Sequence, residues 1–170
     1  SGHENWHAAA IEYIETYRPT LERYGHADMA DAVSEYLAEH PAAFEGAGTA
    51  VCCHGWATPE HVAIVGGEVA SMVDFEHALA APAEFDYWRT VIPMFGSLES
   101  DDPQNAFRAG YESVRALPDG MERRRPLYGL LNAIYFFESL YVQAQHSPEG
   151  EAERAAAFRE QITDTLQDLG

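Results

Sequence analysis

The chain has 170 residues, with 28 acidic and 10 basic side chains and a formal charge of −18. That length suits a single domain over residues 1–170, with enough chain to bury a core. The negative charge argues against nucleic acid and anionic membranes as partners, because both would repel the chain. No apolar run approaches the ~20 residues that span a bilayer.

All ten basic residues are arginine, and lysine is absent. Strong acidity without lysine is typical of a cytoplasm at molar salt, where the screening length falls to about 3 Å and like charges repel weakly. An acidic protein from a GC-rich genome is the alternative explanation. We expect a cytoplasmic protein adapted to high salt.

The first part of the chain reads as two helices and a strand. Apolar spacing predicts a helix over residues 5–17, ended by Arg18-Pro19, and a second over about 20–39 that Gly25 could interrupt. A short buried strand follows at 49–53. It carries Cys52 and Cys53, which on a strand face opposite sides, so that one thiol lies in the core. Two adjacent cysteines cannot form a disulfide that stabilises a domain, because a bond between sequence neighbours is strained and uncommon. This use of cysteine indicates a reducing cytosol.

A β-hairpin follows a polar loop. Residues 54–60 read as the loop, 61–65 and 68–73 as strands, and Gly66-Gly67 as the turn between them. The hairpin pairs its two arms, so it returns Asp74 to the side of the loop. A carboxylate held at a strand end beside a polar loop is a suitable place for a divalent metal ion.

Helical spacing resumes after the hairpin. The pattern predicts a helix over residues 84–95, which Pro93 could end early, and a second that starts at Asp102-Pro103 with Val114 facing inward. It predicts a third helix over 122–144, whose regular part begins at Pro126, and a fourth that starts after Ser147-Pro148. The pattern as a whole predicts a mostly helical α+β domain, with two helices, a small β-hairpin sheet with its loop, and about four further helices.

Two short motifs flank the predicted hairpin. Residues 53–62 read Cys-His-Gly-Trp-Ala-Thr-Pro-Glu-His-Val, and residues 73–78 read Val-Asp-Phe-Glu-His-Ala. They resemble the core of the aminoglycoside phosphotransferase and choline kinase-like superfamily, whose pattern is H-G-D-x-x-x-x-N, a hairpin and then apolar-D-[FW]-[ED]. Pro82 and Asp86 resemble the G-x-P-x-x-D segment that follows. The resemblance implies a protein-kinase-like C-terminal lobe that transfers phosphoryl from ATP, with Mg²⁺, to a hydroxyl of an aminoglycoside or similar polar metabolite.

The resemblance also assigns roles to single residues, and some of them are altered here. His54 matches the first motif residue. The catalytic base Asp is replaced by Trp56, which cannot accept a proton. The metal-binding Asn is replaced by His61, whereas Asp74 matches the metal-binding Asp and Glu76 the acidic residue that often follows. The implied site therefore keeps His54 and Asp74 but has lost its base.

Each of these assignments has a plainer structural alternative. Asp74 could cap a turn instead of binding a metal or phosphate. His61 could be a half-exposed histidine at a strand edge, or an imidazole ligand that favours a softer ion than Mg²⁺. The Trp56 ring could fill a catalytic pocket that no longer functions, or it could offer a stacking surface for a ligand.

The ATP lobe of this family, with its phosphate-covering loop and lysine, has no counterpart in the chain. Either that lobe belongs to a longer protein, or the chain has lost it. We expect a C-terminal lobe that does not catalyse the transfer alone; the alternative is a non-catalytic, pseudokinase-like binding or regulatory module. The expected partners are a small-molecule ligand or the missing lobe, and a homodimer could cover exposed apolar surface.

Overall fold

The computed structural model describes residues 5–170. Within that range the chain forms six α-helices and four short β-strands, which confirms a mostly helical α+β architecture. The helices are α1 (Trp6–Arg23), α2 (Ala27–Glu39), α3 (Ala83–Phe95), α4 (Asp102–Glu112), α5 (Met121–Gln143) and α6 (Pro148–Leu169), and the strands are β1 (Ala50–Cys53), β2 (Val62–Val65), β3 (Glu68–Met72) and β4 (Leu79–Pro82).

The chain divides into two compact units. One contains the described residues up to Phe44 together with Arg124–Gly170, and the other is Glu45–Arg123. The first unit is helical, and the second contains both predicted motifs.

In the helical unit, α1 is longer than its sequence pattern predicts. The prediction that Arg18-Pro19 ends the helix is wrong, because α1 continues through Pro19 to Arg23. A proline inside a helix costs about 3 kcal/mol through its lost hydrogen bond and ring clash. Ile14 and Leu21 lie on either side of it, both fully buried, and their packing holds the helix together. The predicted interruption at Gly25 is confirmed, with φ of +81° between α1 and α2.

The long helix α5 packs against α1 and α6. The Tyr135 ring meets Tyr17 of α1 at 5.6 Å between centroids, and Phe137 stacks on Phe158 of α6 at 5.3 Å. The helix covers Met121–Gln143, which confirms the prediction of about 122–144, but its regular part does not wait for Pro126, because that proline lies inside the helix.

The second unit contains two separate two-stranded antiparallel sheets. The β2–β3 hairpin is the predicted one, with Val62 opposite Met72 and a register irregularity between Ala63 and Ile64. The other sheet pairs β1 with β4, which the sequence pattern did not predict. The β4 segment, Leu-Ala-Ala-Pro, lacks the β-branched and aromatic residues that mark strands.

Helix α3 packs against β1 and β4, and several predictions in this region can be checked. Cys53 is buried and Cys52 is exposed, as strand alternation predicts. Helix α3 runs through Pro93 to Phe95. The inward orientation predicted for Val114 is wrong, because α4 ends at Glu112 and the Val114 side chain is 90% exposed.

The hairpin carries exposed apolar side chains, among them Ile64, Val69 and, just beyond it, Phe75. Dimerisation through such a surface stays a prediction. Among the helices of residues 5–170, none combines the length and the apolar character needed to cross a membrane.

Candidate functional site

The loop of residues 54–58 leaves β1 and is fastened to the first turn of α3. The carboxylate of Asp86 accepts one hydrogen bond from the His54 N–H and one from the Gly55 N–H, each at 2.7 Å. Hydrogen bonds to a charged acceptor contribute about 1.5–3 kcal/mol each. Asp86 therefore fixes the backbone at the start of the loop.

Two more side chains of α3 hold the same loop. Arg89, which is buried, donates from Nε to the Gly55 carbonyl at 3.0 Å, and the Thr90 hydroxyl donates to the Ala57 carbonyl at 3.1 Å. Positions 86, 89 and 90 share one face of a helix, so a single rigid element sets the path of the loop. Sequence reasoning noted Asp86 only as part of a motif and missed the other two. Their signal was the presence of polar residues on a helix face that is otherwise buried.

His54 joins the loop to the segment that carries Asp74. Its Nε2 lies 2.8 Å from the Val73 carbonyl, which can only accept, so Nε2 carries the hydrogen. Its Nδ1 lies 3.3 Å from the Trp56 N–H, which can only donate, so Nδ1 is the acceptor. Both ring nitrogens are therefore engaged, and His54 serves to position the two segments.

Gly55 is required by the same arrangement. Its φ is +82°, in the left-handed region that other residues rarely adopt. A Cβ at this position would overlap the His77 carbonyl oxygen and lie 2.8 Å from the His77 carbonyl carbon. The loop can therefore pass the His77 backbone only with glycine at position 55.

Trp56 stands where the resemblance expects the catalytic base. The side chain is half-buried, and the guanidinium carbon of Arg89 lies 5.2 Å from the centroid of its ring. That distance is within the range of a cation–π contact. The indole N–H is a donor only, so this position supplies no group that could take a proton.

His61 and Asp74 are brought together by the hairpin, as the sequence predicts. His61 Nε2 lies 3.3 Å from Asp74 Oδ2, with the two side chains 16% and 42% exposed. The other ring nitrogen, Nδ1, lies 2.9 Å from the Trp56 carbonyl and 3.4 Å from the Thr58 hydroxyl. Because a carbonyl only accepts, Nδ1 carries a hydrogen in this arrangement.

The backbone at Asp74 is strained. Its φ of 66° and ψ of 60° are left-handed values, which are uncommon for a non-glycine residue although Asp adopts them more readily than most. The side chain makes no capping hydrogen bond to the short 3-10 turn Phe75–His77 that it precedes. The surrounding structure holds the strain, since the Val73 N–H donates to the His61 carbonyl at 3.0 Å and the Phe75 ring packs on His54 at 4.4 Å. Strain of this kind is concentrated at functional sites.

Glu76 faces a different neighbour from Asp74. Its carboxylate lies 3.4 Å from His77 Nε2, and its side chain is 71% exposed. Over residues 5–170, no group of three or more His, Cys, Asp and Glu side chains is arranged to hold a metal ion. Asp74 and His61 could supply at most two donors to a divalent ion, so that water or ligand oxygens would have to complete its shell; a carboxylate suits Mg²⁺, and an imidazole suits a softer ion.

The thiol beside the loop is not a candidate nucleophile. Burial, with a smaller contribution from the Asp86 charge, raises the pKa of Cys53 to about 12. A thiol with this pKa has almost no thiolate at neutral pH, and the thiolate is the reactive form. Cys53 therefore acts as a core residue.

The family comparison covers both motifs. A model described as "Phosphotransferase enzyme family" matches residues 2–127, which include the loop, the hairpin and Asp86. No curated protein and no solved structure matches the chain. The match extends over well more than half of the sequence and agrees with the resemblance carried by the two motifs. The chain belongs to the phosphotransferase enzyme family.

Proposed function

We propose that this chain is the C-terminal lobe of a small-molecule phosphotransferase in which no base removes the proton of the acceptor hydroxyl. The chain would then still bind its ligands but would no longer catalyse the transfer. The family reaction would pass phosphoryl from ATP to a hydroxyl of an aminoglycoside or another polar metabolite. The observation that carries the proposal is Trp56 at the base position, with its ring against the buried Arg89 guanidinium.

The rest of the loop offers no substitute base. His54 uses both ring nitrogens to hold backbone groups, and the Asp86 carboxylate already accepts two backbone N–H groups. A base that reaches the reacting proton contributes typically ~10²–10⁴-fold to a rate. Because phosphoryl transfer depends mainly on positioning and charge, the loss should reduce turnover strongly without abolishing binding.

Binding is supported by the residues that are kept. Asp74 holds its strained backbone with its carboxylate 42% exposed and facing His61. When bound, a divalent ion would neutralise phosphate charge at this point. The chain contains no lysine, so the phosphate-binding lysine of the family would have to come from another lobe or partner.

A pseudokinase-like regulatory module is the second candidate. The observation that favours it is Trp56 at the base position together with Asp74, which is retained and lies against His61. A regulatory module would bind the same ligands and would never turn over, even beside a complete ATP lobe.

Tryptophan fluorescence and a turnover assay on the same chain test the proposal. Trp6 and Trp88 lie outside the 54–58 loop, so a change on adding ADP with Mg²⁺ or Mn²⁺ should come from Trp56 and should be absent in Trp56→Phe. The unchanged chain, incubated with ATP, Mg²⁺ and hydroxyl acceptors at high salt, should show no turnover above background. Measurable turnover refutes the loss of the base, and the absence of ADP binding by calorimetry refutes the binding role.

A further inference from the structure

One imidazole joins the corner between α1 and α2 to two other helices of the helical unit. His26 stands just before α2, and its Nε2 lies 2.7 Å from the hydroxyl of Tyr141 on α5. Its Nδ1 lies 3.5 Å from Nη1 of Arg159 on α6. The ring also packs at 4.7 Å on Phe137, the same ring on which Phe158 of α6 stacks. The corner and α6 therefore meet at His26.

The neighbours of His26 fix the position of its proton. A guanidinium can only donate, so Nδ1, which faces Arg159, carries no hydrogen and accepts. The hydrogen of the neutral ring is then on Nε2 and is donated to the Tyr141 hydroxyl. Both contacts are thus made by the neutral imidazole, in one tautomer.

Protonation of His26 would set one cation against another. The second hydrogen would go to Nδ1 and point at the guanidinium of Arg159, which offers no acceptor. Arg159 is held in place, because it donates to both carboxylate oxygens of Asp28, at 2.8 Å and 2.6 Å. Of the two contacts that His26 makes through its ring nitrogens, the one to α6 is therefore lost on protonation.

The other titratable groups around the ring keep their charge state while His26 titrates. The hydrogen bond between Asp28 and Arg159 lowers the pKa of the carboxyl and raises that of the guanidinium, so both stay charged. Burial, and secondarily the charges of Glu151 and Tyr24, raises the pKa of Tyr141, which stays a neutral hydroxyl. Tyr24 itself stacks on Tyr141 at 4.0 Å. Within this cluster, His26 is the group that changes charge.

We propose that His26 is an acid-sensitive latch for α6. The neutral imidazole holds the α1–α2 corner against Arg159, and the imidazolium breaks that contact and loosens α6. The helix remains packed through Phe158 and the buried Ile162, so the change is a local opening of α6. The inference does not depend on phosphoryl transfer.

Amide hydrogen exchange at about pH 7.5 and about pH 5, at one KCl concentration and corrected for intrinsic rates, measures this opening. We expect the opening of α6 amides to increase at least about threefold at the lower pH, while that of α1 amides changes less. His26→Gln should remove the response. His40→Gln is the control, because His40 belongs to the same unit and stacks on Tyr36 of α2; this variant should keep the response.

Two charge variants separate the electrostatic latch from simple packing. The pKa of His26, followed by NMR of its imidazole protons, should rise in Arg159→Gln, because Asp28 alone then faces the ring. It should fall further in Asp28→Asn, because the Arg159 charge is no longer compensated. Arg159→Gln should also abolish the acid response of α6.

Three results would each overturn the inference. The first is a His26 pKa that is the same in the parent chain and in both charge variants. The second is an acid response of α6 that persists in His26→Gln, and the third is a response that disappears in His40→Gln.

Discussion

Replacing Gly55 by alanine should destabilise the chain far more than the same change at a comparable glycine. Gly25 is the matched control, because its φ of +81° is close to the +82° of Gly55. A Cβ at Gly25 would meet nothing within 4 Å, whereas one at Gly55 would overlap the His77 backbone. Both variants carry the left-handed strain, and only Gly55→Ala adds the collision.

The expected magnitudes follow from that difference. Left-handed alanine costs ~1–2 kcal/mol, which is the whole effect expected at Gly25. At Gly55 the backbone must move, which weakens the hydrogen bond that its N–H donates to Asp86 and the one that its carbonyl accepts from Arg89 and adds about 3 kcal/mol. Each kcal/mol lowers Tm by ~2–4 °C for a chain of this size. We therefore expect a fall of ~2–8 °C for Gly25→Ala and ~8–20 °C for Gly55→Ala.

Thermal unfolding followed by tryptophan fluorescence measures both variants. Trp56 and Trp88 lie in the unit that contains Gly55, and Trp6 lies in the unit that contains Gly25, so the signal reports on both units. Equal melting temperatures for the two variants would show that the loop does not pass the His77 backbone as closely as described.

Three other outcomes are expected. An alkylating reagent at about pH 8 should label Cys52 and leave Cys53 unlabelled. Burial raises the pKa of Cys53 to about 12, so that only ~10⁻⁴ of it is thiolate at this pH. Equal labelling of the two cysteines in mass spectrometry would contradict this. Burial, and secondarily the Arg159 charge, lowers the pKa of His26 below its ordinary 6.5. As the pH falls, His26 is therefore protonated first in the unfolded state, and the free energy of unfolding should decrease below about pH 6.5. His26→Gln should flatten this fall in urea titrations between about pH 7.5 and about pH 5, and an identical slope would refute it. Lowering KCl from ~2 M to ~0.1 M should lower Tm, because screening of the −18 charge weakens, and an unchanged Tm would argue against salt adaptation.

The hairpin and its motifs could be predicted because their determinants are local. Gly66-Gly67 marks the turn, alternation marks the arms, and together they return Asp74 to the side of His61. The helix count followed from apolar spacing for the same reason.

The features that escaped prediction depend on contacts between distant segments. β4 is a strand only because β1 lies beside it. Arg89 and Thr90 act on carbonyls more than thirty positions earlier in the chain, and no periodicity shows such a partner.

Asp86 links the loop to α3 in a way that bears on local opening. The amide hydrogens of His54 and Gly55 are bound to a carboxylate in the first turn of that helix. Neither amide hydrogen can exchange with solvent deuterium until the first turn of α3 unfolds locally or its hydrogen bond to the carboxylate breaks. The start of the loop and the start of α3 thus form one cooperative opening unit, although more than thirty residues separate them in the chain.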